Sequence, residues 1–303
     1  MSEDATVIQK NRYLPGISTE EHSKNRFIRE VRKRTGFQVC LAGLVFLIAV
    51  AVLAPFFVPY DPNATDLPHK NEGPSSAHPW GTDYLGRDLF SRTLCATQTS
   101  LLIAFATVGC AFAAGACLGC VAAYYGGVVD ELLSRCIDLF LAFPGIIFSL
   151  ALLGLIGAGI ANMILALTLS QWATFARLMR GDVLSIRDLE YVQSARTAGL
   201  PDRRIMAKHL IPNAIMPVLV LATLDIGSVI LATAGLSFLG LGIPPGIPEW
   251  GSMIGAGKEF LRTAPLNIIV PGLAITVVVL LFNLLGEGLR DILDVHKDQV
   301  TIA

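Results

Sequence analysis

Charge is scarce in this sequence. Of 303 residues, 16% are charged and 53% are hydrophobic, a balance that excludes an ordinary soluble domain and points to a multi-spanning membrane protein. The long apolar runs contain no histidine, since His22, His69, His78, His209 and His296 all lie outside them. They also contain no basic residue, no paired acids and no Ser/His set, which argues against a membrane-embedded hydrolase. A secondary transporter would want several intramembrane ionisable groups and internal repeats. This chain offers one buried acid and no detectable repeat, so that class stands only as the alternative from a different class. Six cysteines include the C-x-x-C pair Cys117 and Cys120, but no second ligand pair accompanies them. They read as small buried hydrophobes, and no metal site is expected. Ser252 to Glu259 nearly matches a phosphate-binding loop but lacks the first glycine and the Ser or Thr after Lys258. It follows no strand either, so the chain is expected to hydrolyse no ATP and to be no enzyme.

What the sequence does have is apolar length. Phe37 to Val58 runs 22 residues without a charge, about 33 Å as a helix and enough for a hydrocarbon core of about 30 Å. It follows a polar segment, 1–36, that holds eight Lys or Arg. A basic region that long, before a full-length span, does not fit a secretory leader. Further apolar blocks cover about 99–124, 139–157, 158–176, 213–241 and 263–286, and Gly157-Ala158-Gly159 reads as the turn between the third and fourth. Six spans with the amino terminus inside place 18 Lys or Arg in cytoplasmic segments and 5 outside, an asymmetry that sets the orientation. The net charge of −1 says nothing about nucleic acid, and none is expected as a partner. Gly115-x-x-x-Gly119 in the second span lets another helix approach closely. Asp130, Glu131 and Arg135 read as a short inner loop before span three, with Asp138 at its boundary.

The stretch Tyr191 to Asn213 is the longest polar interruption after the first span. Asp188 can cap a helix running to Ala198, and Gly199 can take the left-handed turn that ends it. Pro201 suits the first position of a second helix, and Pro212 ends or kinks that helix. The result is a helix–turn–helix knob carrying Arg196, Arg203, Arg204 and Lys208, cations that place it on the cytoplasmic side.

Gln193-Ser194-Ala195, Gly199 and His209-Leu210-Ile211-Pro212 resemble the EAA loop of ATP-binding-cassette importer permeases. The spacing is kept, while Gln193 replaces the family acid, Ser194 the first alanine and His209 an isoleucine. The string Gly81-Thr82-Asp83-Tyr84-Leu85-Gly86-Arg87-Asp88-Leu89-Phe90-Ser91-Arg92 is similar to the C-type permeases of dipeptide, oligopeptide and nickel importers. So is the later Pro248-Glu249-Trp250-Gly251. The resemblance covers about 80–291. It implies an all-α membrane protein of type I ABC importer permease architecture, with six transmembrane helices and cytoplasmic termini, in the bacterial cytoplasmic (inner) membrane. The parts would be a cytoplasmic segment 1–36, a first helix 37–58, an extracytoplasmic loop 59–98, a core 99–291 and a tail 292–303. Within the core lie the cytoplasmic loop 188–213 and an outer loop 242–262.

The implied partners are a second, homologous permease in a heterodimer, two ABC ATPase subunits and an extracytoplasmic substrate-binding protein. ATP and magnesium would sit in the ATPases, and this chain would bind no cofactor. Gln193, Ser194, Ala195, Arg196, Gly199, Asp202, Arg203, His209 and Pro212 would form the ATPase-docking loop. The cargo implied is a di- or oligopeptide, with nickel, glutathione or another peptide-like solute as the alternative.

On the outer face, Asp88 and Arg92 stand four apart, a spacing at which they can pair on a helix entering the bilayer. With Asp83, Arg87, Glu249 and Trp250 they are the expected contact residues for a delivering protein. Trp250 also suits a headgroup layer. Asp225 is the only acid deep within an apolar run, at a cost near 3 kcal/mol for an acid at a helix centre. It reads either as a wall residue of a wet translocation path or as an internally bonded packing group. Gln171 and Asn283 are weaker candidates of the same kind.

Overall fold

The computed structural model describes residues 35–300 except Pro245, with side chains described as far as Leu293. Most of the basic amino-terminal segment, and the side chains of Asp294 onward in the expected tail, lie outside the described residues. Among the described residues every regular element is helical, and the one strand-type pairing is an isolated bridge between Thr82 and Asp88.

Helix α1 (Thr35–Phe57) is apolar all round. It buries little beyond Cys40, Ala51 and Ala54, and leaves Val45, Phe46, Val52 and Phe56 exposed, as a lipid-facing span should. It packs on the last helix, α10 (Leu266–Val300), where Phe37 lies against Gly288 and Leu281 lies against Gly43. Helix α2 (Leu89–Tyr125) has 37 residues, about 55 Å of helix. It begins ten residues before the expected span because Asp88 caps it, accepting a hydrogen bond from the Ser91 N–H. It forms the most extensive pairing in the molecule with α5 (Ile160–Ile186). There a Cβ on Gly115 would come within 2.5 Å of the Trp172 carbonyl, and one on Gly119 would overlap the Ala176 carbonyl. The small-residue spacing does bring two helices together.

The apolar run 139–157 is not one straight span. Helix α3 (Gly127–Leu141) ends before Pro144, and α4 (Gly145–Ile156) leaves at 85° to it. Pro144 cannot continue α3, and it sets its successor off in a new direction. Asp130, Glu131 and Arg135, expected in a loop, lie on α3 instead, and so does Asp138, expected at the span boundary. With 12 residues, α4 is about 18 Å long, too short to cross a bilayer alone. Gly157 and Gly159, both at positive φ, make the turn into α5 as the sequence suggests. Helix α5 then runs ten residues past the apolar block and carries Arg177 and Arg180.

After α5 come α6 (Glu190–Thr197) and α7 (Asp202–Ile205), a π-helical turn at Met206–Leu210, and α8 (Ile211–Phe238). Pro212 does not end the helix. It falls in the first turn of α8, and the wider π turn before it, closed by Ile211 N–H to the Met206 carbonyl, accommodates the missing donor. Helix α9 (Trp250–Gly257) follows before α10.

Among the described residues four helical stretches are long and apolar enough to cross a membrane: α1, α2, the α7–α8 rod and α10. The bent pair α3–α4 makes a fifth if it is counted as one span. Helix α5 is long enough at 27 residues, but Asn162, Ser170, Gln171 and Arg177 dilute its apolar character.

Candidate functional site

The polar stretch between α5 and α8 folds as a knob of two short helices. Asp188 does not cap the first. It stands one residue too early, pairing with Arg187 at 3.4 Å, and Leu189 takes the cap position without a side-chain bond. The helix ends as expected at Gly199, with φ of 75°. Leu200 N–H reaches the Ala195 carbonyl at 3.2 Å, which closes a Schellman-type turn. Pro201 precedes α7 rather than opening it, and its carbonyl accepts from Arg204 and Ile205.

The knob is amphipathic. Val192, Ala195, Ile205 and Leu210 are buried beneath it, while Gln193, Ser194, Arg196, Gly199, Asp202, Arg203 and Pro212 face outward. His209 is half-buried, its ring 6.4 Å from that of Tyr191. Glu190, Gln193, Ser194, Thr197 and Ala198 line a shallow, open groove on the exposed side. Thus Ala195 holds the knob to the bundle, while Gln193, Ser194 and Arg203 stand exposed on its outer side.

Two ion pairs tie α5 to α3 and two further hydrogen bonds hold the knob and its entry to α2, none of them legible in the sequence. Arg180 of α5 grips both oxygens of Asp130 on α3, at 2.5 and 2.7 Å, and Arg177 reaches Asp138 at 2.5 Å. Arg187 donates to the Ala123 carbonyl, and the Tyr124 hydroxyl donates to Asp202 at 2.7 Å.

At the far end of α2 the residues expected to contact a partner are buried. Asp83, Arg87, Asp88, Arg92, Glu249 and Trp250 are between 1% and 6% exposed. They build the loops rather than present a surface. Asp88 and Arg92 do not pair with each other. Asp88 accepts from Ser91 and lies 2.9 Å from His78 Nδ1, while Arg92 donates to the Pro62 carbonyl at 2.7 Å. Asp83 instead holds Arg87, with Nε at 2.7 Å, and lies 3.6 Å from Arg92 Nε. Gly86, at φ of 75°, passes so close to the Asp66 carbonyl that no side chain fits.

Trp250 is enclosed within the chain, not free to anchor in a headgroup layer, and its indole N–H donates to the Thr93 carbonyl. Glu249 caps α9 with both oxygens, accepting from Gly251 and Ser252 N–H at 2.8 Å each. Burial pushes its carboxyl above the ordinary range, and those two N–H donors partly offset the rise. A cleft of about 280 Å³ lies between these loops, with Tyr84, Arg87, Arg92, Phe238, Lys258 and Asn267 in its lining.

Within the spans, Asp225 of α8 is half-buried and its Oδ2 is enclosed without a hydrogen-bond partner. Asn283 of α10 faces Gly227, two residues along α8 from Asp225. Gln171 lies on α5, half-buried. Among the described residues no hydrogen bond joins these three.

Helices of spanning length, a braced polar knob at one end and locked loops at the other describe an integral-membrane protein. Residues 115–298 match the family model described as the binding-protein-dependent transport system inner membrane component. Residues 25–74 match the N-terminal transmembrane domain of oligopeptide transport permease C. The chain belongs to this family, as a permease subunit of an ABC importer.

Similar proteins include the glutathione transport system permease protein GsiD of Pectobacterium atrosepticum, 43% identical over 84% of this chain and 85% of that protein. The nickel transport system permease protein NikC of Escherichia coli K12 is 41% identical over 87% of this chain and 95% of that one. The dipeptide transport system permease protein DppC of Alkalihalophilus pseudofirmus is 38% identical over 85% and 86%. The fold is also similar to a chain of the MetNI methionine ABC transporter in an inward-facing conformation. That match has a TM-score of 0.54 and 18% identity, over 67% of this chain and 97% of the other.

Proposed function

We propose that the chain forms half of the translocation path of an ATP-driven importer, taking peptide-like cargo from an extracytoplasmic binding protein. A homologous second permease would supply the other half, and two ABC ATPase subunits would dock on the knobs. The observation that carries this reading is the knob itself. Its apolar underside is packed on the bundle, Gln193, Ser194 and Arg203 are exposed on its polar side, and it continues into α8 through the π turn. Such a piece can turn the closure of a soluble partner into movement of α5 and α8, shifting the population between inward- and outward-facing states.

The reading takes six spans, with α3–α4 and α5 counted as membrane elements, and both termini in the cytoplasm of a bacterial inner membrane. The dilute polarity of α5 suits a helix that faces other helices rather than lipid, and Phe175, Ala176 and Met179 are fully enclosed by the chain. Cargo is di- or oligopeptide, with nickel or glutathione as the alternative, since permeases similar to this one carry all three names.

The test is uptake by the complete complex in proteoliposomes, with Gly199→Pro beside the unaltered chain. The variant should insert and lose uptake. Normal uptake by that variant, or uptake driven by an ion gradient with no ATPase present, would overturn the reading.

A further inference from the structure

The knob-side end of α2 holds a junction that the docking reading leaves unused. The last carbonyls of a helix lack internal partners, and here one of them is used to hold the knob. Arg187, the residue that caps α5, donates Nη1 to the Ala123 carbonyl at 2.5 Å. One residue on, the Tyr124 hydroxyl donates to Asp202 Oδ1 at 2.7 Å, while the Arg196 guanidinium lies over the Tyr124 ring, 5.1 Å from its centroid. Two consecutive residues of α2 therefore touch the entry to the knob, its first helix and its second. Tyr124 is 8% exposed.

Neither knob helix can set its own angle. Helix α6 has eight residues and α7 four, too few for independent stability, and the Gly199 turn between them is exposed with open space around it. The buried contacts beneath the knob are apolar and non-directional. The bond from Tyr124 to Asp202 and the stacking of Arg196 are directional, and both converge on one ring. That ring sits on a helix whose other end is built into the loops, where Thr93 holds Trp250 and Arg92 holds the Pro62 carbonyl.

We propose that Tyr124 is a positioning residue that latches the knob to α2, so that knob displacement is delivered to α2 and the loops at its far end as well as to α5 and α8. This rests on the knob being the ATPase contact.

The experiment uses the complete transporter in proteoliposomes and reads three quantities: cargo moved per ATP hydrolysed, ATPase subunits recovered with the chain, and the thermal midpoint. Tyr124→Phe keeps the ring and removes the hydroxyl. It should lower cargo per ATP roughly five-fold, the lower end of ordinary coupling between sites, with ATPase recovery unchanged. Asp202→Ala should also lower the ratio, and the double variant should be no worse than the poorer single, because both remove one interaction.

Additive losses, or a normal ratio in Tyr124→Phe, would overturn the latch. So would a loss of uptake that merely follows a lower midpoint, with the ratio intact. Failure of the docking reading looks different, because the unaltered chain would then recover no ATPase. That result would overturn both.

Discussion

The indole N–H of Trp250 donates to the backbone carbonyl of Thr93 at 3.1 Å, fastening the first turn of α9 to the first turns of α2. Trp250 is 1% exposed, and its neighbour Gly251 lies so close to Ala234 of α8 that no Cβ would fit there. Three helices therefore meet around Trp250 and Gly251. Trp250→Phe keeps most of the volume and loses the hydrogen bond, so its cost should be about 1 kcal/mol. Trp250→Ala also opens a cavity and should cost about 3–5 kcal/mol. Thermal midpoints of both variants, purified in the same detergent, check the ordering. Equal midpoints would mean that the ring does not join the helices.

Asp83 is one carboxylate serving two guanidinium groups. Its Oδ2 meets Arg87 Nε at 2.7 Å and lies 3.6 Å from Arg92 Nε, while Oδ1 accepts from the N–H groups of Leu85 and Arg87. Asp83→Asn keeps an acceptor but leaves two buried cations facing each other, and should cost about 3–5 kcal/mol. Arg87→Met leaves Asp83 with Arg92 and should cost less. Comparing the folded yields and midpoints of the two variants tests this, and the reverse order would remove Asp83 from the centre of the loop.

These two sites mark the limit of what the sequence reveals. The knob is legible because a glycine and two prolines punctuate a long polar gap, and backbone constraints at such residues are local. The α2–α5 contact is legible because Gly115 and Gly119 stand one turn apart. The string from Gly81 to Arg92 is recognisable as a motif, yet its role is not. A charge satisfied by a distant carbonyl has the same local pattern as a charge in water, and Arg92 finds its partner thirty residues away. Trp250 is misread for a related reason, since its acceptor lies 157 residues away in the chain. The bend at Pro144 had a signal that hydropathy alone overrides, because the run 139–157 stays apolar through it. The braces from Arg180 to Asp130 and from Tyr124 to Asp202 depend on tertiary packing and leave no periodic trace.

Glu249 gives the structure a pH dependence with a definite sign. Its carboxyl is raised above 4.5 chiefly by burial. An acid raised in the folded state binds its proton more tightly there than in the unfolded chain. Stability from this group is therefore greatest below 4.5 and declines as pH rises from 4.5 through the folded-state value. Above that value it levels off. Glu249→Gln removes the titration but can accept only one of the two N–H groups now held, so it should lower stability at low pH and flatten the slope. Thermal midpoints of both proteins, followed from below pH 4.5 upward, read the difference directly. A parallel pair of curves would exclude Glu249 as the source.

Asp225 separates path from packing. Its Oδ2 is enclosed without a partner, so the folded bundle gains nothing from that oxygen. Its neighbour Leu224 packs on Gly286, and Gly227 faces Asn283, which leaves Asp225 beside the α8–α10 seam rather than inside it. Asp225→Leu should therefore leave the chain equally stable or stabilise it by about 1–3 kcal/mol, the usual penalty of an unsatisfied buried polar group. If the carboxylate wets the wall of the translocation path, the same substitution should abolish uptake, and Asp225→Asn should lower it while leaving the midpoint unchanged. Uptake and midpoint measured on both variants decide the matter. Normal uptake with either residue in place would assign Asp225 to packing alone and remove it from the path.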